Sequence, residues 1–199
     1  MSSTASKLPP LATLGPFIAL ILACAFFATQ SERFLSAQNF ALILQQVMVV
    51  AVIAIGQTLV ILTAGIDLSC GMVMALGGIV MTKMAADYGL SAPVAVACGM
   101  AVTMLFGLVN GLLVTKIKLP PFIVTLGTLN IAFAITQLYS GSQTITEVSE
   151  GMTWLGNSFR IGQTNVLYGV VLMLALYLIT WLFLRETAPG RHIYAVGNS

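Results

Sequence analysis

Charged residues are scarce in this 199-residue chain. Only 7% of its residues are Asp, Glu, Lys or Arg, whereas 58% are hydrophobic, and the mean hydropathy is +1.00. A soluble domain usually carries about a quarter of its residues as charged side chains. The composition therefore excludes an ordinary water-soluble domain and predicts a protein whose solvent is lipid. A net charge of +2, with the basic residues scattered, gives no basis for nucleic-acid binding.

The residues that usually carry catalysis or bind metals are also few. His192 is the single histidine, so neither a histidine metal cluster nor a Ser–His pair can form. Cys24, Cys70 and Cys98 stand apart in apolar runs without a C-x-x-C pair, which is typical of small packing residues. The sequence also lacks a phosphate-binding loop and paired carboxylates within a span. We therefore expect no enzyme activity, no catalytic residue and no metal site.

Long apolar runs dominate the chain instead. A run of about 20 apolar residues predicts a transmembrane helix, so the expected fold is an all-α, polytopic membrane helical bundle forming one domain over residues 1–199. A signal peptide is an alternative interpretation of the first run. However, the run is longer than the apolar core of a signal peptide, which is usually about 7–15 residues. The six predicted spans cover residues 11–29, 40–63, 68–82, 93–115, 122–139 and 166–184.

Asp67 is the only charged residue between positions 34 and 82. A charge at bilayer depth costs on the order of 3 kcal/mol and usually marks a function, a tight turn or both. We expect Gly65 to end one helix, and Asp67 or Ser69 to cap the next one. A helix cap, a hinge in the turn and a direct substrate contact are the three interpretations of the carboxylate.

Amides and hydroxyls are distributed through the predicted spans. An amide that faces lipid leaves its hydrogen-bonding groups unpaired, at a cost of several kcal/mol. These side chains therefore face protein, as interhelical hydrogen bonds, or a polar path across the membrane. For the set as a whole we favour a path. The set comprises Gln45, Gln46, Gln57, Thr58, Asn110, Thr125, Thr128, Asn130 and Gln137.

The basic residues predict an orientation. Loops rich in Lys and Arg stay in the cytoplasm, which favours a cytoplasmic N-terminus. The loop over residues 141–163 is then outside, and the Asp67 turn is at the cytoplasmic side or dips into the membrane from it. The cytoplasmic set is Lys7, Lys116, Lys118, Arg185 and Arg191, and the outer set is Arg33, Lys83 and Arg160.

Three motifs together resemble a known family. They are GQTLVILTAGIDLS at residues 56–69, KLPPFIVTLGT at residues 118–128 and TAPGRHIYAVGN at residues 187–198. In this order, and over essentially the whole chain, they resemble the permeases of ABC monosaccharide importers of the ribose, xylose and fructose type, within the branched-chain permease superfamily. The family usually has a second glycine where Ala64 stands and an aliphatic residue where Cys70 stands.

The resemblance implies a translocation path for a monosaccharide through a multi-pass protein of the bacterial inner membrane. The implied partners are a second permease subunit, cytoplasmic ATP-binding subunits, a periplasmic sugar-binding protein and membrane lipid. ATP is used by the partner subunits, and this chain binds no cofactor. Residues Gly190, Arg191 and His192 would lead to the coupling contact with the ATP-binding subunits. Residues implied to line or shape the path are Gln57, Thr58, Asp67, Asn110, Thr125 and Asn130.

The length of the chain differs from the family pattern. Family members have about ten spans, each of about 20 residues, against the six predicted here. We therefore expect an N-terminal part of a permease that does not transport alone. Two alternatives stay open: a branched-chain amino-acid ABC permease, and a truncated, non-transporting membrane remnant or scaffold.

Overall fold

The computed structural model describes residues 11–146, 148 and 150–197. Lys7 of the predicted cytoplasmic set and Asn198 of the third motif lie outside the described residues. The elements, in chain order, are α1 (Leu11–Gln30), α2 (Ala37–Leu62), α3 (Cys70–Ala86), α4 (Ala92–Thr115), α5 (Pro121–Ser140), α6 (Glu150–Thr153), a 3-10 turn (Trp154–Gly156), β1 (Ser158–Ile161), β2 (Thr164–Leu167), α7 (Tyr168–Glu186) and α8 (Ala188–Gly197).

The predicted spans fall on helices. Within the described ranges, α2, α4, α5 and α7 are long and apolar enough to cross a membrane, and α3 is a shorter apolar helix. The second helix begins at Ala37 and ends at Leu62, and the third begins at Cys70, so the joint between them covers residues 63–69. Assignment of all six runs to the membrane stays a prediction.

Local sequence explains several helix ends. The Ser36 side chain accepts a hydrogen bond from the Asn39 backbone N–H at 3.2 Å and caps the start of α2. Helix α5 begins at Pro121, where the missing N–H has no partner to lose. It ends at Ser140, and the following Gly141 has a φ of +61°, which suits a left-handed cap.

Helix α3 packs against α4 and α5, and α2 packs against α7. The buried core lies on α3 and α5 and contains Leu76, Val80 and Ala132. Gly77 and Gly99 bring α3 and α4 into backbone contact, because a Cβ at Gly99 would lie 2.6 Å from the Gly77 carbonyl oxygen. Most large apolar side chains point away from this core, as expected where lipid replaces water.

The predicted loop over residues 141–163 contains secondary structure that the sequence did not predict. Strands β1 and β2 form an antiparallel hairpin in which Ile161 pairs with Thr164, and Gly162 in the connecting turn has a φ of +61°. Trp154 stacks on Tyr168 with ring centroids 5.1 Å apart. These aromatic rings fix the entry of the chain into α7.

Candidate functional site

The joint between α2 and α3 ends differently from the prediction. Gly65 was expected to take the helix-ending conformation, but Ala64 does so, with a φ of +57°. Gly65 serves a different purpose, since a Cβ there would lie 3.0 Å from Cγ1 of Val60 and 3.2 Å from its carbonyl oxygen. The Gly65 N–H donates to that carbonyl at 3.0 Å. Close approach to Val60, and not a positive φ, therefore requires a glycine at position 65.

The Asp67 carboxylate closes a turn onto Ser69. Its Oδ1 accepts hydrogen bonds from the Ser69 backbone N–H at 2.7 Å and from the Ser69 hydroxyl at 2.6 Å. Ser69 occupies the N-cap position of α3, but its side chain makes no capping bond. Asp67 is thus not the N-cap residue: it stabilises that residue from two positions earlier, as an Asx turn does.

Three neighbouring helices hold this turn, which we call the Asp67 turn (residues 66–69). Gln57 of α2 donates from Nε2 to the Asp67 carbonyl at 3.0 Å. Asn110 of α4 donates from Nδ2 to the Ser69 hydroxyl oxygen at 3.0 Å. Thr125 of α5 lies 3.4 Å from the Ile66 carbonyl and bonds to Pro121 O at 2.9 Å. We call Gln57, Asn110 and Thr125 the polar clasp.

Two clasp amides each leave one oxygen without a partner. Gln57 Oε1 and Asn110 Oδ1 are buried and have no hydrogen-bond partner within the described part of the chain. Their orientation is chemically fixed. The Asp67 carbonyl can only accept, and the Ser69 hydroxyl gives its hydrogen to Asp67, so both amides must offer their NH₂ groups to the turn. A buried acceptor without a donor costs about 1–3 kcal/mol.

A cavity of about 560 Å³ lies beside the Asp67 turn. Its lining includes Asp67, Asn110 and Thr125, and Val196 of α8 forms part of its wall. The turn is recessed from the helix ends: Asn110 lies five residues before Thr115, where α4 ends, which corresponds to about 7 Å along the helix. A loop at this depth is tolerated where protein or a water-filled cavity surrounds it.

Comparisons with known proteins decide the family. The family model of the branched-chain amino acid transport system / permease component matches residues 39–199. The chain belongs to this family. It is 44% identical over 189 residues to the fructose import permease of Rhizobium meliloti, covering 92% of this chain and 52% of that protein. It is 33% identical over 188 residues to the ribose import permease of Bacillus subtilis, covering 94% of this chain and 57% of that protein.

A third relative is named for a different sugar, galactofuranose. The galactofuranose transporter permease of Escherichia coli K12 is 38% identical over 155 residues, which cover 78% of this chain and 44% of that protein. The chain spans about half the length of these curated relatives. No solved structure matches the chain. Family membership and the apolar helices make it a multi-pass membrane protein of the permease class.

Two residues predicted to line the permease path lie away from the Asp67 turn. Thr58 is exposed and bonds to the Ala54 carbonyl at 2.7 Å. Asn130 is exposed and donates to the Leu126 carbonyl at 2.8 Å. Each side chain donates to a backbone carbonyl of its own helix, so neither belongs to the polar clasp. From the sequence, Ser69 was predicted only as a helix cap. The Asp-x-Ser spacing of residues 67–69 is, however, typical of an Asx turn.

The third permease motif forms a helix of its own. Residues 188–197 of this motif fold as α8. Gly190 is buried against α7, where a Cβ would approach the Phe183 carbonyl oxygen, while Arg191 and His192 are exposed. At the other end, Gly197 lies against the Leu62 carbonyl, the last residue of α2. Helix α8 therefore connects the exposed Arg191 and His192 to the joint beside the Asp67 turn.

Proposed function

We propose that this chain is part of the permease subunit of an ATP-driven importer and helps to form the path for a monosaccharide. The observation that carries the proposal is the 44% identity to a fructose import permease over 92% of the chain. The other relatives named above import ribose and transport galactofuranose. Three sugar transporters favour a sugar over an amino acid as the cargo.

The Asp67 turn supports a translocation role. Asp67, Asn110 and Thr125 line a cavity within an otherwise apolar bundle, and ionisable or polar groups at membrane depth usually mark a transport pathway. Gln57 holds the same turn from α2. We propose that these four residues shape the path directly, and that Thr58 and Asn130 contact it from surfaces that are exposed in this chain.

The proposed partners follow from the importer class. Two permease subunits enclose the path, cytoplasmic ATP-binding subunits contact α8 near Gly190, Arg191 and His192, and a periplasmic protein delivers the sugar. Bond chemistry is confined to ATP hydrolysis in the partner subunits, so this chain needs no cofactor of its own. Lipid contacts the exposed apolar faces of α2, α4, α5 and α7.

We further propose that the N-terminus is cytoplasmic. The directions of the helices gather the predicted cytoplasmic residues Lys116, Lys118, Arg185 and Arg191 at the end of the bundle that holds the Asp67 turn and α8. Lys83 lies at the opposite end, where it pairs with Asp87 at 2.9 Å. A Lys and Arg excess at one end is typical of the cytoplasmic face.

A hybrid importer tests the proposed function. The chain is joined to the remaining half of the Rhizobium meliloti fructose import permease and expressed in cells that lack that permease. We expect uptake of labelled fructose or ribose, and none of labelled leucine. The matched controls are each half expressed alone.

Each outcome of the hybrid experiment has a defined meaning. Uptake of leucine without either sugar would favour a branched-chain amino-acid permease, which the family description includes. A hybrid that inserts in the membrane and binds the ATP-binding subunits, yet transports neither class of substrate, would favour a scaffold and contradict the proposal.

A further inference from the structure

We propose that the cavity between the Asp67 turn and α8, which we call the turn cavity, is a binding site for a small neutral polyhydroxylated molecule. The inference rests on the proposed function, and it assigns the sugar to one place. At about 560 Å³ the turn cavity lies within the range of small-molecule sites. Its walls combine apolar side chains with a few converging polar groups, which is the usual composition of such sites.

Two glycines of α4 create the space. Gly107 and Gly111 form a G-x-x-x-G pattern, which is typical of close packing between membrane helices. The structure shows a different role: a Cβ at either position would meet no atom of the described residues within 4 Å, and both glycines line the turn cavity. The close helix contact lies elsewhere, at Gly77 and Gly99. The pattern therefore removes side chains from a cavity wall.

The hydroxyl groups around the turn cavity act as acceptors. Thr63 donates its hydroxyl hydrogen to Val60 O at 2.8 Å, and Thr115 donates to Gly111 O at 2.7 Å. Thr125 likewise donates to a carbonyl of its own helix. Since each hydrogen is committed, the oxygens offer lone pairs. A wall of this kind favours an occupant that brings O–H donors.

Asn110 adds a stronger reason for an occupant. The residue lines the turn cavity, is 8% exposed, and has an Oδ1 without a partner in the described part of the chain. Its NH₂ group is engaged by Ser69. An enclosed amide oxygen that no protein group satisfies is expected to receive a donor from a bound molecule.

The charge of the lining favours a neutral molecule. No Lys, Arg or His is among the described residues that line the turn cavity, so a phosphate or carboxylate group would meet no cation there. Asp67 is the acidic residue of the lining, and its Oδ1 already accepts two hydrogen bonds from Ser69. A zwitterionic amino acid would leave its carboxylate unpaired, whereas a sugar brings hydroxyls and no charge.

Cysteine protection tests occupancy of the turn cavity. In the hybrid importer, Cys24, Cys70 and Cys98 are replaced by Ala, and Gly111→Cys is labelled with a membrane-permeant maleimide. D-fructose, D-ribose and L-leucine are tested separately as protectants. Labelling of Gly15→Cys is the matched control, because Gly15 lies on α1, where an added Cβ meets no atom of residues 11–146, 148 or 150–197 within 4 Å.

We expect fructose or ribose to slow labelling of Gly111→Cys. At a sugar concentration ten times Kd the rate should fall about tenfold, because labelling follows the free fraction. Gly15→Cys should react at an unchanged rate. Protection by leucine alone, or an unchanged rate at Gly111→Cys with both sugars, would overturn the inference.

A second variant separates this inference from the proposed function. Gly111→Leu adds a bulky side chain to the lining of the turn cavity and should abolish sugar uptake while the hybrid still reaches the membrane, whereas Gly15→Leu should transport normally. Normal sugar uptake by Gly111→Leu would refute the site and leave the proposed function standing. Absence of sugar uptake in the parent hybrid counts against the proposed function, and the labelling rate still reports on the site.

Discussion

Asn110 donates an amide hydrogen to the Ser69 hydroxyl at 3.0 Å, across 41 residues of sequence. Both residues are buried, Ser69 at 1% and Asn110 at 8% exposure. The bond fixes the start of α3 to the C-terminal part of α4. Because Ser69 also binds the Asp67 carboxylate, one hydroxyl joins a charged turn to a neighbouring helix.

The first prediction concerns this bond. Asn110→Leu should lower the free energy of unfolding by about 1–3 kcal/mol, since Ser69 loses a buried partner. The measurement is thermal unfolding of the detergent-solubilised chain. Asn130→Leu is the matched control, because the exposed Asn130 side chain donates to Leu126 of its own helix, and it should change stability far less. Equal losses in the two variants would contradict the role of the Asn110–Ser69 bond.

A second prediction separates the shape of Asp67 from its charge. Asp67→Asn keeps an oxygen that accepts from the Ser69 N–H, so the hybrid importer should retain much of its sugar uptake. Asp67→Leu leaves that N–H unpaired, at about 1–3 kcal/mol, and should lose uptake. Full transport by the Leu variant would show that the turn does not depend on the carboxylate.

The left-handed residue provides a third prediction. Ala64 has a φ of +57°, a conformation that costs a non-glycine residue about 1–2 kcal/mol. Ala64→Gly should therefore raise the free energy of unfolding by about 1 kcal/mol. Ala54→Gly, within α2, should lower it by a similar amount. Thermal unfolding of the two variants measures both signs, and a loss of stability in Ala64→Gly would refute the backbone assignment.

The helix contact between α3 and α4 gives a fourth prediction. A Cβ at Gly77 would lie 2.5 Å from Thr103 Cγ2 and 3.3 Å from the Gly99 carbonyl oxygen. Gly77→Val should therefore separate the helices and lower the free energy of unfolding by about 1–3 kcal/mol. Gly78→Val is the adjacent control, because no atom in the described part of the chain lies within 4 Å of its added Cβ. Size-exclusion profiles after heating should show loss of folded protein only for Gly77→Val.

The fifth prediction tests the orientation. With the native cysteines replaced, Gln163→Cys in the hairpin turn should react with a membrane-impermeant maleimide added to the outer face of cells. Ile117→Cys, between the lysines at the other end of the bundle, should react only after the membrane is opened. The reverse pattern would place the N-terminus outside.

The sequence predicted the elements whose signals are local and strong. Runs of apolar residues marked the long helices, and the I-D-L-S segment marked a turn between two of them. Relatives that import or transport sugars confirm the family suggested by the three motifs. These signals depend on composition and short spacing, which a single sequence displays directly.

Contacts between distant segments were not predictable in the same way. Ala64 takes the left-handed conformation because the neighbouring glycine is needed against Val60, a choice that depends on three-dimensional packing. The meeting of Gln57, Asn110 and Thr125 at one turn required the helix register. Thr58 and Asn130 have the same polar character as these residues, and only their bonds distinguish them.

The length of α3 has a consequence for how the protein is made. The helix has 17 residues, or about 26 Å, which is less than a bilayer core of about 30 Å. During synthesis, such a short segment is a weak stop-transfer signal for membrane insertion, particularly because the charged Asp67 lies just before it. The backbone contact of Gly77 with Gly99 joins α3 to the longer α4, which can stabilise α3 in the membrane. We expect the insertion machinery to release α3 and α4 into lipid together, as a hairpin.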